Sequence, residues 1–420
     1  MKPIEKNYLK PFILVTSLFL LWGLANNMTD TLLAAFKRIM SMSDAQTSLI
    51  QFAFYGAYFC LALPAALFIR KHSYKSGVIL GLCLYAAGAI LFMPAAKAAS
   101  YGFYLVAIYI MAGGCSVLET TANPYILSMG SPETATRRLN IAQAFNPIGS
   151  ILGILTSKYF ILSDISLYSI SGTYMSLGLV LIIILVVMLL IKMPSGQDTT
   201  GNSHGLRAVF DRLMHNKRYR RGVIAQFFYV GAQIGIWSFT IRIVMQELSI
   251  AEAAASTIYL VSIVGFCLSR FIYTWLMKFF PPTRLLLFGA TLSMICTAVV
   301  VCSAGSGWLL VCFLVLASAF MSLMFPTIYG LALENVENPD AGGHPGDAKI
   351  GASGLIMAIL GGAVLTPVQG LLSDSFSIHI SYLVPFVCFA VVFSYAIYIN
   401  KQYKTTSNNY SNKSLQSYDK

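Results

Sequence analysis

The chain has 420 residues, of which 57% are hydrophobic and only 10% charged. Soluble domains carry about 25% charged residues, so this chain cannot coat a water-facing surface; nucleic-acid binding, a secreted disulfide scaffold and intrinsic disorder are all disfavoured. The net charge of +12 comes from 28 Lys and Arg against 16 Asp and Glu, an excess that in a membrane protein collects in cytoplasmic loops.

A helix needs about 20 apolar residues to cross the hydrocarbon core. That ruler finds twelve spans: 11–36, 47–69, 77–95, 101–128, 138–162, 172–192, 219–245, 254–277, 283–303, 307–333, 349–372 and 380–400. The first is too long for a signal peptide and lacks a cleavage site, so it is expected to stay in the protein. Of the 28 basic residues, 22 fall on the side of both termini, four on the other side, and Arg242 and Arg270 within spans. The asymmetry predicts that both termini are cytoplasmic. Six spans precede a polar, basic connection at 193–218 and six follow it. The chain therefore divides into a six-helix bundle (1–192), a central cytoplasmic loop (193–218), a second six-helix bundle (219–400) and a cytoplasmic tail (401–420). The expected fold is all-α and integral to the membrane, with twelve transmembrane helices in two pseudo-symmetric bundles, the layout of major facilitator transporters. Pro124 in span 4 and Pro326 in span 10 echo each other.

Acidic residues at mid-membrane cost about 2.5–3.5 kcal/mol each on insertion scales. Two sit at that depth: Asp30 in span 1 and Glu119 in span 4. Loss of solvation disfavours the charged form of a carboxyl, so each is a candidate proton site; the bland alternative is a protonated packing group. Spacing gathers polar residues on shared faces. Asn26 and Asn27 stand i+4 and i+3 from Asp30, Asn123 stands i+4 from Glu119, and Gln143 and Asn146 are i, i+3 on span 5. On span 7, Gln226, Tyr229, Gln233 and Trp237 step by 3, 4 and 4. Amides and carboxyls hydrogen-bond several hydroxyls at once, and an indole or phenol face packs on the C–H face of a sugar. The mixture suits a small polyhydroxy ligand, although any single amide is as well read as glue between helices. The eight cysteines lie in apolar runs without a C-x-x-C pair, and the five His have no metal-ligand spacing. No cofactor or metal is expected; the proton is the expected coupling ion. Gly77/Gly81 and Gly149/Gly153 read as close helix-packing pairs.

The segments LWGLANNMTDTLL (21–33), LPAALFIRKHSYKSGVILGLCLYAAGA (63–89), LETTANPY (118–125), RLNIAQAFNPIGS (138–150), AQFFYVGAQIGIWS (225–238), FPTIYGLALENV (325–336) and GGAVLTPVQGLLSD (361–374) resemble the L-fucose/proton symporter family of the major facilitator superfamily. The similarity runs through both halves. It implies a symporter coupling one proton to a monosaccharide, acting as a monomer in a bacterial inner membrane. It also implies proton coupling at Asp30 and Glu119, and sugar contacts from Glu119, Asn146 and Trp237. Asn27 and Gln143 fall in the same motifs, and Trp22, Asn26 and Phe325 complete the expected substrate site. The pair Met324-Phe325 stands where the family has Gln-Tyr, which removes an amide and a phenol and leaves the identity of the sugar open among fucose, glucose, galactose and N-acetylglucosamine. A drug/proton antiporter of the same fold would predict a larger, more apolar cavity. An intramembrane aspartyl protease would need a second Asp at depth. A sugar sensor that does not transport stays open at this point.

Overall fold

The structure, a computed structural model, describes residues 4, 6–42, 44–161, 166–191, 193, 205–334, 336–337, 343–344 and 346–418. Within these, the side chains of 6, 29–35, 37–38, 44–48, 158 and 404–418 are not described. Asp30 therefore has a described backbone, but its side chain lies outside the described residues.

The chain is helical from end to end of its described part. The first half comprises α1 (Leu9–Ile39), α2 (Asp44–Lys71), α3 (Tyr74–Ala98), α4 (Tyr101–Ser128), α5 (Ala135–Gln143), α6 (Asn146–Thr156) and α7 (Leu167–Leu190). A short helix, α8 (Leu206–His215), lies within the expected 193–218 connection. The second half comprises α9 (Lys217–Leu248), α10 (Glu252–Leu276), α11 (Pro282–Cys302), α12 (Trp308–Phe320), α13 (Met324–Leu333), α14 (Asp347–Met357), α15 (Leu360–Ser375), α16 (Ile378–Ser381) and α17 (Leu383–Tyr418). Backbone groups in lipid must be satisfied within the segment, and only helices and closed barrels achieve this. Tight connections are closed by caps: Ser73, Ser100, Ser166, Asn216 and Ser377 each accept a backbone N–H three residues on. Large apolar side chains such as Ile183 and Leu190, 64% and 80% exposed, face outward, as lipid-facing positions require. All eight cysteines are free.

Among the described residues, eleven helices are long and apolar enough to span a membrane. The twelfth crossing is the broken pair α5–α6, which corresponds to the single span expected at 138–162. Its break has a local cause. Pro147 has no N–H to return to Gln143 and sits in the first turn of α6, where proline is tolerated. A milder break recurs in the second half between α14 and α15, at Ala358–Ile359.

The two halves repeat one packing plan. α1 packs on α6 as α9 packs on α15, and α3 packs on α4 and α7 as α11 packs on α12 and α17. Glycines set the closest approaches. A Cβ on Gly149 would lie 1.8 Å from the Leu20 carbonyl oxygen, and one on Gly361 would lie 1.9 Å from that of Phe227. The Gly149/Gly153 and Gly77/Gly81 pairs are packing surfaces, as expected.

Between the halves, α2 lies along α14 and α15, and α6 lies along α10. At the end carrying the basic loops, α5 also meets α13 and α4 meets α14, so the halves close there. Arg138, the first residue of the fifth expected span, is fully buried at this end. Its Nε donates to Ile126 O at 2.7 Å and Nη2 donates to Leu127 O, capping the last carbonyls of α4. α8 joins the second half: Arg212 grips Asp347 at the start of α14 through Nε and Nη2, at 2.8 and 2.7 Å. This pairing holds the Arg212 guanidinium above its usual range.

Candidate functional site

A cavity of about 440 Å³ lies between the halves, within the ~300–1,000 Å³ typical of small-molecule sites. Its walls differ. The first half contributes Trp22, Asn26, Asn27, Gln51, Phe54, Tyr55, Tyr58, Glu119, Gln143, Asn146 and Ser150, a wall chiefly of amides, hydroxyls and one carboxyl, with the rings of Trp22 and Phe54 among them. The second half contributes Val230, Ile234, Trp237, Ile241, Phe325 and Ile359, with Gln233, Ser238, Tyr259 and Arg270 set among them. The cavity follows α1, α2 and α9 toward the end away from the basic loops and stops where α5 meets α13.

Backbone geometry holds several of these side chains in place. Asn146, at the start of α6, donates Nδ2 to Phe19 O at 3.2 Å. That contact is possible because Gly149 and Gly23 let α1 and α6 touch backbone to backbone. Asn27 donates Nδ2 to Gly23 O at 3.1 Å, and Gln143 donates Nε2 to Asn123 Oδ1 at 3.0 Å. Other groups are left for a ligand. Asn26 Oδ1 has no hydrogen-bond partner among the described residues, and Gln233 lines the cavity from α9.

The two indoles occupy related places. Trp22 on α1 donates Nε1 to Cys115 O on α4 at 3.2 Å. Trp237 on α9 donates Nε1 to Ser318 Oγ on α12 at 3.1 Å, and packs edge-on against Phe266 with ring centroids 5.0 Å apart. Each buried N–H is satisfied by the neighbouring span, so each ring is fixed while part of it borders the cavity.

Nine of the expected site residues line this cavity: Trp22, Asn26, Asn27, Glu119, Gln143, Asn146, Gln233, Trp237 and Phe325. Three others do not. Gln226 and Tyr229 are fully buried below it, toward the basic end. They share a helical face with Gln233 and Trp237, but the cavity ends at Val230 and Phe325, and the Phe325 ring stands 6.4 Å from that of Tyr229. Asn123 is buried one turn below Glu119, spent on Gln143. Spacing identifies a face but not the depth at which the halves meet. Sequence reasoning also passed over Arg270, Tyr58, Gln51, Tyr55 and Tyr259. For Arg270 a signal existed, since a cation at depth is costly and marks a function or a partner.

Residues 14–346 match the family model described as Major Facilitator Superfamily. The chain belongs to the major facilitator superfamily. Among the relatives of this transporter, the L-fucose-proton symporter of Haemophilus influenzae is 39% identical, over 94% of this chain and 97% of that protein. A glucose/galactose transporter of Brucella abortus is 32% identical, over 94% and 95%. The crystal structure of a major facilitator transporter, FucP, in the outward conformation superposes with a TM-score of 0.85. It is 34% identical, over 94% of this chain and 99% of that one.

Proposed function

We propose that this transporter carries L-fucose or a related hexose into the cell together with a proton, by alternating access. The observation that carries the reading is the cavity with two unlike walls. Amides and a carboxyl on one side suit the hydroxyls of a sugar, and indole and aliphatic surface on the other suits its C–H face. The relatives named for L-fucose and for glucose/galactose support the substrate class. Glu119 is the proton site that lines the cavity, and Asp30 is assigned to proton coupling on the resemblance of its motif. The termini and the basic loops lie on the cytoplasmic side of a bacterial inner membrane, so the cavity opens outward. A potential of about 150 mV supplies roughly 3.5 kcal/mol per proton, from ~2.3 per 100 mV. At 1.4 kcal/mol per decade this sustains roughly a 300-fold sugar gradient.

The test is proton uptake by proteoliposomes on addition of L-fucose, D-galactose or D-glucose. One of these should drive uptake that a protonophore abolishes. Proton movement indifferent to all three would refute the reading.

A further inference from the structure

Two prolines leave two carbonyls without their helical donors, one in each half. Pro147 has no N–H for Gln143 O, and Pro326 has none for Ser322 O, since each bond would run from residue i to i−4. A buried backbone acceptor needs a partner from elsewhere. A single side chain serves both. Arg270 on α10, 3% exposed, donates Nε to Ser322 O at 2.6 Å and Nη1 to Gln143 O at 2.9 Å. Its Cζ lies 4.6 Å from the centroid of the Phe266 ring. Among the described residues no carboxylate lies within ion-pair distance of it. The fork of a guanidinium can reach two acceptors at fixed angles; an ammonium cannot.

We propose that Arg270 is a clasp between the two halves, holding the cavity floor shut in this conformation and releasing Gln143 when the basic end opens. The two bonds are unequal in this respect. Ser322 belongs to the same half as Arg270, so that bond travels with it. Gln143 belongs to the other half, so that bond must break when α5 parts from α13. Two more contacts continue the seam below the clasp. Thr136, Asn140 and Gln143 follow one face of α5 at i, i+4 and i+7. Asn140 Nδ2 donates to Thr327 Oγ1 at 3.2 Å, and Gly330 sits so close to Thr136 that a Cβ would lie 2.7 Å from its Oγ1. Of these contacts, only the clasp borders the cavity, where a ligand can reach it. Beneath the floor, Gln226 is fully buried and neither amide atom has a hydrogen-bond partner among the described residues; opening the basic end would give it water. Arg270 is thus a positioning residue: it acts on the ligand site by setting which end is closed.

The proposal rests on the carrier reading, but its test needs no sugar. Spin labels at Lys71→Cys on α2 and Lys217→Cys on α9, in a background without the exposed cysteines Cys60, Cys83, Cys302 and Cys312, report the separation of the halves at the basic end. The unaltered clasp should give one short distance. Arg270→Gln should raise the population of a longer distance at least tenfold, and Arg270→Lys should do so to a lesser extent. Pro147→Ala supplies Gln143 O with a helical donor and competes with Arg270. It should therefore shift the distribution the same way, and it carries the test if Arg270→Gln does not fold. A purely structural role would lower thermal stability and leave the distances where they were. An unchanged distribution in the folded variants overturns the clasp, whatever the sugar experiments give.

Discussion

A carboxylic acid offers a sugar hydroxyl both a donor and an acceptor, whereas a carboxylate can only accept. Glu119 borders the cavity beside Tyr58 and Trp22, so its protonation state alters what the ligand meets. If the protonated form binds better, affinity falls as pH rises through the titration, and sugar binding tightens the proton by the same factor. Glu119→Gln keeps a donor but cannot titrate. It should bind sugar with a flattened pH dependence between pH 5 and 9, and lose accumulation far more than binding. Sugar affinity measured in purified protein across that range is the check, and a wild-type profile in the variant would remove Glu119 from coupling. At this scale the chemical types of the site were legible, because polar residues are expensive in lipid and stand out wherever they occur. Depth was not. Gln226 and Gln233 share one face of α9 two turns apart, yet Gln233 faces the cavity and Gln226 is sealed below it. That difference comes from another helix of the same half, α13, through Phe325, and no local pattern on α9 carries it.

The helices are held to one another inside each half by missing side chains as much as by present ones. Gly149 brings α1 and α6 into backbone contact, and through that contact Asn146 reaches Phe19 O. Gly149→Val would force Cβ into the Leu20 carbonyl, and overpacking of this kind costs about 1–3 kcal/mol or more. A marked loss of folded protein and a lowered melting temperature in detergent are expected. The contrasting change, Gly172→Ala on α7, has no atom within 4 Å of the new Cβ and should leave both measurements near wild type. Equal sensitivity at the two positions would contradict the packing account. The small-residue pairing of span 5 was readable in advance from Gly149 and Gly153. The division of that span into α5 and α6 was not, since a proline in a membrane helix kinks or breaks it according to what else can satisfy the freed carbonyl. Here the partner comes from α10, more than a hundred residues further along the chain.

On the scale of the whole molecule, the 6+6 plan was legible because hydropathy and loop charge report directly on membrane crossing. The relative placement of the two halves was not, since it depends on pairs such as Asn140–Thr327 that are remote in sequence. Those pairs give an expectation for hydrogen exchange. Sugar and protons added together should change exchange several-fold in α5 and α13, where the halves meet, and leave the α3–α4 core unchanged. Uniform change over all helices would contradict rigid halves moving about a polar seam. The contrast between the two kinds of contact also reaches into how this protein fails. Within a half, helices touch backbone to backbone at glycines such as Gly149 and Gly361; across the seam the contacts named above all use polar side chains that water can replace, even where Gly330 meets Thr136. Inherited damage should therefore come in two forms. A change at a backbone-to-backbone glycine contact within a half would empty the membrane of protein, and a change to the polar side chains of the seam would leave a full complement of carriers standing idle.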